Sequence, residues 1–336
     1  MGRRHQGRAF ADSKLNDVSM TVLYTDNGFS SISQEQSILS DAGATLLVSQ
    51  CRSEEDVIAA GAMADALLVQ WAPITRKVIE ALPRCRHIVR IGIGVDNVDV
   101  KAASERGIAV SNVPDYCVSE VADHTVAMAL ALARQLPEID DRLRGGTWKI
   151  TPDRPMPAFD KMTWCTIGFG RIARAVQARA QPFGFRRTAF DPLVPDDEFD
   201  RMGVGRMSLD EAFRQADIVT LHCPLTVDTR HLVNAERLAS MKSTSVLVNT
   251  SRGGLVDTIA LAEALEGQVI GGAGIDVFEQ EPVANDHPLL NCRRAIVTSH
   301  VAWYSEASVP ELQRRAALEI ARGIRGEALQ NQINES

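Results

Sequence analysis

The chain has 336 residues, a length typical of two domains, and 45% of them are hydrophobic, as in globular proteins. Its formal net charge of −7 argues against binding to a nucleic-acid backbone, which requires a basic surface. The six cysteines form no CxxC pair, so we expect no metal site and no redox dithiol. No apolar stretch reaches the roughly 18 residues of a membrane span. These features predict a cytoplasmic protein with reduced thiols.

The first part of the chain predicts a sheet covered by helices. Residues 1–19 show no apolar periodicity and are expected to be a disordered tail, not a signal peptide. The alternatives are an added segment and translation from upstream of the true start. From Met20 to about Asn112, short apolar segments alternate with amphipathic ones, which is typical of a parallel sheet. We expect strands at Met20–Tyr24, Ala44–Val48, Ala66–Val69, Ile88–Ile91 and Ala109–Ser111. We expect helices at Ser33–Asp41, Glu54–Ala60, Thr75–Leu82 and Val98–Arg106.

A long alanine-rich helix at Val118–Gln135 and a loop from Arg142 to Pro157 are predicted before a second alternating series. Its expected strands are Trp164–Ile167, Thr188–Phe190, Ile218–Leu221, Ser245–Asn249, Gly272–Ile275 and Ile296–Thr298. Its expected helices are Arg171–Gln181, Leu209–Gln215, Ala235–Met241 and Thr258–Glu266, and a last helix is expected at Val309–Arg325. The sequence therefore predicts an α/β protein with two doubly wound parallel sheets.

A glycine-rich turn follows the first strand of the second series. Gly168 allows a tight turn, Gly170 lets the backbone approach a pyrophosphate, and Ala173 is small enough for close packing of helix and strand. The next strand ends at Asp191, the position of an acid that hydrogen-bonds the adenosine ribose. The pattern predicts a dinucleotide site, and the charge of Asp191 favours NAD over NADP. Such a glycine string can also be an ordinary turn, with Asp191 as a turn former or helix cap.

Charged side chains follow three later strands of the same series. Arg252 and His300 lie just beyond apolar segments, and an aspartate and glutamates follow a third one, in the segment Asp276–Glu281. An arginine can bind a planar carboxylate through two hydrogen bonds, and a histidine with a carboxylate partner can act as a general acid and base. These residues predict a hydride-transfer site. The alternative interpretation is that Arg252 is a surface residue and His300 an ordinary hydrogen-bonded side chain.

Seven motifs in order resemble those of the D-isomer-specific 2-hydroxyacid dehydrogenases over nearly the whole chain. They are RIGIGVDNVD, NVPDYCVSEVADHT, GFGRIA, HCPLTVDTRHLVN, LVNTSRGGLVD, GIDVFEQEP and TSHVAWYSEAS. The resemblance implies a Rossmann-type NAD-binding domain, residues 118–309, inserted into a flavodoxin-like substrate domain of residues 20–117 and 310–332. It also implies NAD-dependent interconversion of a 2-keto acid and a D-2-hydroxy acid. It further implies a homodimer that forms through the region of Val118–Gln135, which has more apolar surface than one domain needs.

The resemblance assigns a role to individual residues. Arg252 binds the carboxylate and carbonyl of the substrate, and His300 with Glu281 forms the acid/base pair. Further substrate contacts are expected from Arg90, Gly92, Ile93, Gly94 and Trp303. Coenzyme contacts are expected from Thr125, Gly168, Phe169, Gly170, Arg171, Ile172, Asp191, Cys223, Pro224, Thr226, Thr250, Ser251, Arg252, Asp276 and His300.

Within the family, two segments are most similar to the C-terminal-binding protein branch: RIGIGVDN with Arg90, and HVAWYSE with Trp303. In that branch the tryptophan lines the substrate pocket, although Trp303 could instead only pack a hinge. Two alternatives to the dehydrogenase follow from the resemblance. One is an NADH-sensing, corepressor-like scaffold with weak activity, and the other is a phosphoglycerate dehydrogenase or a glyoxylate/hydroxypyruvate reductase.

Overall fold

A computed structural model of the chain describes residues 19–334, which form two compact units. One unit contains residues 19–116 and 309–334, and the other contains residues 117–308. The expectation of a tail at residues 1–19 therefore lies outside the described residues, except for Ser19. In this part of the chain, no helix combines the length and the apolar character that crossing a membrane requires.

The first unit is built on a five-stranded parallel sheet. Its strands are β1 (Met20–Tyr24), β2 (Ala44–Val48), β3 (Ala66–Val69), β4 (His87–Arg90) and β5 (Ala109–Ser111). The helices between them are α1 (Ser33–Asp41), α2 (Glu54–Gly61), α3 (Arg76–Ala81) and α4 (Val100–Glu105). The strand order β2-β1-β3-β4-β5 is the flavodoxin-like order, as predicted.

The second unit contains a seven-stranded parallel sheet. Its strands are β6 (Thr163–Ile167), β7 (Arg186–Phe190), β8 (Gly205–Arg206), β9 (Ile218–Leu221), β10 (Val246–Asn249), β11 (Gly272–Ile275) and β12 (Ala295–Val297). Its helices are α5 (Val118–Ala133), α6 (Leu136–Arg144), α7 (Arg171–Ala180), α8 (Asp196–Arg201), α9 (Leu209–Gln215), α10 (Ala235–Ser240) and α11 (Thr258–Glu266). The order β12-β11-β10-β9-β6-β7-β8 is the Rossmann order with one added strand. Short 3₁₀ helices span Phe159–Lys161, Gln181–Phe183, Gly253–Leu255 and Pro288–Asn291.

Neighbouring residues of the central strands β6 and β9 pack on opposite faces of the sheet. Because both faces are buried, these strands have a nearly continuous apolar sequence. Cys165 and Val219 belong to a core formed with α9, α10 and α11. Trp164 and Ile218 belong to a second core formed with α5 and α7. The sheet is therefore covered by helices on both faces, as the sequence predicted.

The last helix, α12 (Ser308–Arg325), packs on the first unit. A Cβ at Gly323 would lie only 2.6 Å from Nδ1 of His87 in β4, so a glycine is needed where helix and sheet meet. Burial lowers the pKa of His87 to about 4, so the imidazole is neutral at physiological pH. A neutral imidazole can be buried, so His87 can belong to the sheet. Strand β4 begins at His87, one residue before the predicted start.

Seven elements were not predicted: α6, α8, β8 and the four 3₁₀ helices. Helix α5 ends at Ala133 because Gln135 has a φ of 53°, and α6 begins at once. The predicted loop from Arg142 is wrong for residues 142–144, which lie in α6. This helix has no buried residue, and Leu136 and Leu143 are half exposed, so it lacks the buried apolar face on which pattern analysis depends.

Candidate active site

The glycine-rich turn lies where β6 and β9 are neighbours, the point at which the strand order of the second sheet reverses. Ligands of doubly wound sheets bind at the carboxyl ends of such strands. Gly168 follows β6 with a φ of 95°, which favours glycine. A Cβ at Gly168 would lie 2.8 Å from the backbone of His222, just after β9. The two strand ends therefore approach so closely that only glycine fits.

The turn has the features required by a dinucleotide. Nothing lies within 4 Å of a Cβ built on Gly170, which directly precedes the ten-residue helix α7. The loop is thus open where a pyrophosphate would approach the first-turn N–H groups of a helix. Arg171 is exposed and Ile172 half-buried. The ring of Phe169 is buried and stacks on Phe199, so only its backbone can contact a coenzyme.

The carboxylate of Asp191 joins the end of β7 to this turn. Its Oδ2 accepts the Phe169 N–H at 2.8 Å, and its Oδ1 accepts the Leu193 N–H at 2.9 Å. These bonds fix the carboxylate while each oxygen keeps a lone pair for a ribose hydroxyl. Arg187, on the same strand, donates to backbone carbonyls of residues 177, 202 and 203 instead of facing a ligand phosphate.

The turn after β9 is held by its own side chains. Thr229 Oγ1 donates to the Pro224 carbonyl at 2.7 Å and accepts the Thr226 N–H at 2.7 Å. Ser251 Oγ donates to the Cys223 carbonyl at 2.8 Å, which joins this turn to the loop after β10. Burial raises the pKa of Cys223 to about 11, so its thiol is protonated at neutral pH.

Thr125 and Thr250 form a hydroxyl pair. Thr125 is fully buried in α5, and its hydroxyl donates to the Val121 carbonyl at 2.7 Å. Its oxygen lies 2.8 Å from Oγ1 of Thr250, which follows β10 and is 9% exposed. The pair links α5 to the loop that carries Arg252, so Thr125 has a structural partner in addition to its predicted coenzyme contact.

His300 and Glu281 are hydrogen-bonded: His300 Nδ1 lies 2.7 Å from Glu281 Oε2. The other carboxylate oxygen accepts the Phe278 N–H at 2.9 Å. Burial alone would raise the pKa of Glu281, but the hydrogen bonds from His300 and Phe278, aided by the charge of Arg252, hold this pKa below its ordinary value. Glu281 is therefore a carboxylate at neutral pH, and the His300 side chain is 45% exposed to solvent.

The loop that carries Arg252 packs tightly against the loop that carries Glu281. A Cβ at Gly253 would lie 1.9 Å from the carbonyl carbon of Phe278, which is impossible without moving backbone. The Asn249 side chain donates to the Arg252 carbonyl at 2.8 Å, and Arg252 Nη1 donates to the Ser251 carbonyl at 2.7 Å. The structure thus brings Arg252, Glu281 and His300 into one network of loops at the carboxyl ends of β10 to β12.

Asp276 holds the loop on which His300 lies. It is almost fully buried, and its Oδ1 accepts the Val301 N–H at 2.9 Å and the Thr298 hydroxyl at 2.5 Å. Its Oδ2 accepts the Ala302 N–H at 3.1 Å. The sequence predicted a coenzyme contact for Asp276 but not this positioning role, which depends on partners more than twenty residues away along the chain.

The other expected substrate residues belong to the first unit, except Trp303. Arg90 ends β4, and a Cβ at Gly92, whose φ is 146°, would lie 1.5 Å from Arg90 Nη1, so this guanidinium folds over the glycine. The Asn112 side chain donates to the Ile93 carbonyl at 2.6 Å and fixes the loop that continues to Gly94. Within residues 19–334, no cluster of three or more histidine, cysteine, aspartate or glutamate side chains could hold a metal ion.

The fold and this set of loops define a Rossmann-type dinucleotide-binding unit with a histidine–glutamate pair and an arginine at its strand ends. Residues 126–302 match the family model described as D-isomer specific 2-hydroxyacid dehydrogenase, NAD binding domain. The chain belongs to the D-isomer-specific 2-hydroxyacid dehydrogenase family, and its cofactor is NAD.

Relatives in this family carry different names. D-3-phosphoglycerate dehydrogenase of Methanocaldococcus jannaschii is 40% identical over 277 residues, which cover 81% of this chain and 52% of the relative. Glyoxylate reductase of Korarchaeum cryptofilum is 38% identical over 266 residues, covering 78% and 80%. D-lactate dehydrogenase from Aquifex aeolicus, solved with NAD and lactic acid, has a TM-score of 0.82 at 28% identity and covers 91% of this chain and 96% of that one. The chain spans about half the length of the phosphoglycerate dehydrogenases that it matches.

Proposed function

We propose that the protein is an NAD-dependent D-2-hydroxyacid dehydrogenase that interconverts a 2-keto acid and a D-2-hydroxy acid. The observation that carries this proposal is the 2.7 Å hydrogen bond between His300 and Glu281, in the same unit as the glycine-rich turn. A scaffold that only senses a dinucleotide has no need of an acid/base pair. The intact pair therefore favours an enzyme over a corepressor-like scaffold.

Each residue of the set has a defined task in keto-acid reduction. When bound, the nicotinamide of NADH supplies the hydride. Arg252 binds the substrate carboxylate and polarises the adjacent carbonyl. His300 donates a proton to the carbonyl oxygen and takes it back in the reverse direction, while Glu281 orients the imidazole and favours its protonated form. We also assign substrate contacts to Arg90, Gly92, Ile93 and Gly94.

A screen of NADH oxidation against a panel of 2-keto acids tests the proposal. The panel includes glyoxylate and 3-phosphohydroxypyruvate, because relatives are named glyoxylate reductase and D-3-phosphoglycerate dehydrogenase. We expect turnover with at least one keto acid, and a D-hydroxy acid as its product by chiral chromatography. NADH binding without turnover of any keto acid would support the NADH-sensing scaffold instead.

Trp303 supports a substrate with an uncharged, fairly long side chain, as in the C-terminal-binding protein-like branch. An indole offers a large apolar wall, and burying an unpaired phosphate against it would be costly. Trp303→Ala should raise KM for a bulky apolar keto acid by roughly 10–200-fold relative to glyoxylate. An equal change of KM with both substrates would show that the Trp303 ring does not line the substrate pocket. A wild-type preference for 3-phosphohydroxypyruvate would contradict this substrate class.

Asp191 should make the protein prefer NADH to NADPH. Its fixed carboxylate repels a 2′-phosphate, and Arg187 on the same strand is committed to backbone carbonyls. Fluorescence titration should therefore give a much lower Kd for NADH than for NADPH. Asp191→Ala should reduce the difference between the two Kd values, mainly by raising the Kd for NADH. Equal Kd values for NADH and NADPH in the wild type would disprove the role of Asp191.

We further propose a homodimer. Helix α5, through which the sequence predicted dimerisation, buries much of its apolar face within its own unit, so we assign the interface to the neighbouring segment around α6. Leu136, Leu143, Trp148 and Ile150 are 50–89% exposed, an unusual density of apolar side chains for a free surface. Light scattering at micromolar concentration should give the mass of two chains, and Trp148→Asp should reduce it to one. Met63→Asp, a change at an exposed residue of the first unit, should keep the dimer. A monomeric wild type would refute the proposal.

The cysteines support the proposed cytoplasmic location. No disulfide joins any of the six cysteines, and four of their side chains are buried. Proteins of oxidising compartments commonly carry disulfides, whereas reduced thiols persist in the cytosol.

A further inference from the structure

We propose that Trp303 is a positioning residue for His300. Its indole N–H donates to the His300 carbonyl and holds the His300 backbone in the conformation that directs the imidazole toward Glu281. This inference rests on the proposed acid/base function of His300. It differs from a role of Trp303 as a pocket wall, because a wall needs the ring surface, whereas positioning needs the N–H.

The backbone of His300 has a conformation that must be held by its surroundings. Its φ is 54°, in the left-handed region that side chains other than glycine rarely adopt. Such residues persist where neighbouring contacts fix them, and they are frequent at functional sites. The contacts around His300 should therefore be found on its backbone as well as on its ring.

Both backbone groups of His300 have strong hydrogen bonds. Its N–H donates to the Asp276 carbonyl at 2.7 Å, at the end of β11. Its carbonyl accepts the indole N–H of Trp303, also at 2.7 Å. The first bond fixes the residue from the sheet, and the second fixes it from its own loop. Together they set the direction in which the side chain leaves the backbone.

The ring of His300 depends on that direction. Its Nδ1 lies 2.7 Å from Glu281, which is held in turn by the Phe278 N–H at 2.9 Å. If the His300 carbonyl is released, φ can relax toward the common negative values and the imidazole swings away from Glu281. Proton transfer depends steeply on such geometry, so chemistry is affected while coenzyme binding is not.

The loop around Trp303 is itself braced, so the indole is a firm anchor. Ser308 Oγ donates to the Trp303 carbonyl at 2.8 Å, and Ser305 Oγ donates to Glu120 on α5 at 2.8 Å. The ring packs edge-to-face with Tyr304 at 5.7 Å. The N–H of Trp303 is thus directed back at the His300 carbonyl, and the indole offers a ligand its apolar surface only.

The sharpest test replaces the N–H and nothing else. Site-specific incorporation of 3-benzothienylalanine at residue 303 keeps the shape of the ring but puts sulfur in place of the N–H. We expect kcat to fall about three- to tenfold, the range given by the net value of one hydrogen bond. KM for the keto acid and Kd for NADH should stay within about twofold. Trp303→Phe should show a similar fall in kcat.

Trp164 provides a matched control. It is fully buried in the same unit, and its Nε1 donates to Thr220 at 3.3 Å. Thr220 is not among the hydrogen-bond partners of His300, which are Asp276, Glu281 and Trp303. The same replacement at residue 164 removes an indole hydrogen bond without touching the His300 loop. It should lower Tm at most and leave kcat unchanged, so a fall in kcat specific to residue 303 reports positioning.

The outcomes separate this inference from the proposed function. If His300→Ala abolishes turnover but benzothienylalanine at 303 keeps kcat within twofold, the inference fails and the function stands. If this variant has a higher KM and an unchanged kcat, Trp303 serves only as a wall of the substrate pocket. That result would also overturn the inference. If no keto acid is turned over, the low-field proton resonance of the His300–Glu281 hydrogen bond decides. It should shift or broaden in the benzothienyl variant, and an unchanged resonance would reject positioning.

Discussion

Replacement of His300 by alanine is expected to lower kcat by about 10²–10⁴-fold, the usual contribution of a general acid/base. The lost imidazole acts on the substrate oxygen, so the Kd for NADH should stay within a few fold of the wild-type value. Steady-state kinetics with the best keto acid and fluorescence titration of NADH measure the two quantities. A variant with kcat within a few fold of the wild type would refute the role of His300.

The replacement Glu281→Gln tests the hydrogen-bond partner of His300. Glutamine keeps the shape of the side chain and can still accept a hydrogen bond, but it removes the negative charge that favours a protonated imidazole. We expect a smaller loss of kcat at neutral pH than for His300→Ala, with NADH affinity again preserved. If Glu281→Gln and wild type were equally active, Glu281 would serve only the packing of its loop.

Gly253→Ala is expected to lower stability by about 1–3 kcal/mol, equivalent to a Tm roughly 2–12 °C lower, and to reduce kcat strongly. A methyl group here would lie 1.9 Å from the Phe278 carbonyl carbon and 2.1 Å from its oxygen, so two backbone segments must separate. These segments carry Arg252 and Glu281, and their displacement spoils the geometry of the site. Thermal denaturation and steady-state kinetics test both parts.

Gly170→Ala is the matched control for the effect on stability. Nothing lies within 4 Å of its Cβ position, and its φ is −76°, so the added methyl group should leave Tm unchanged. It should weaken NADH binding, because the methyl group enters the space that a pyrophosphate would approach. Equal Tm values for Gly253→Ala and wild type would show that the two loops are not packed as described.

The sequence was most informative about the central strands. Strands β6, β9 and β10 are buried on both faces, so each is a short, continuous apolar segment, which is easy to recognise. The start of β4 was misplaced because His87 is polar, and polar residues seldom begin a buried strand. Its burial depends on a neutral imidazole and on Gly323 in a helix more than 200 residues later, and no local pattern contains that information.

The site was predictable as a set of residues but not as a network. The motifs that resemble the family assigned Arg252, Glu281 and His300, and the structure brings these residues together because the carboxyl ends of parallel strands share one edge of the sheet. The contacts of Asp276 with residues 298–302, and that of Gly253 with Phe278, join separate segments. The bond from Trp303 to the His300 carbonyl depends on a left-handed residue, which the sequence gives no reason to expect at a histidine.

The two-part composition of the first unit has a consequence for protein synthesis. Its sheet is complete once residue 111 has left the ribosome, but α12, which covers His87, is made only after residues 117–308. At about 5–20 residues per second, that delay is on the order of 10–40 s. The second unit is one continuous segment and can fold during this time, whereas the sheet of the first unit still lacks the packing of α12 on it. Residues 19–116 are therefore expected to be prone to aggregation, and to need a chaperone, until α12 has been made.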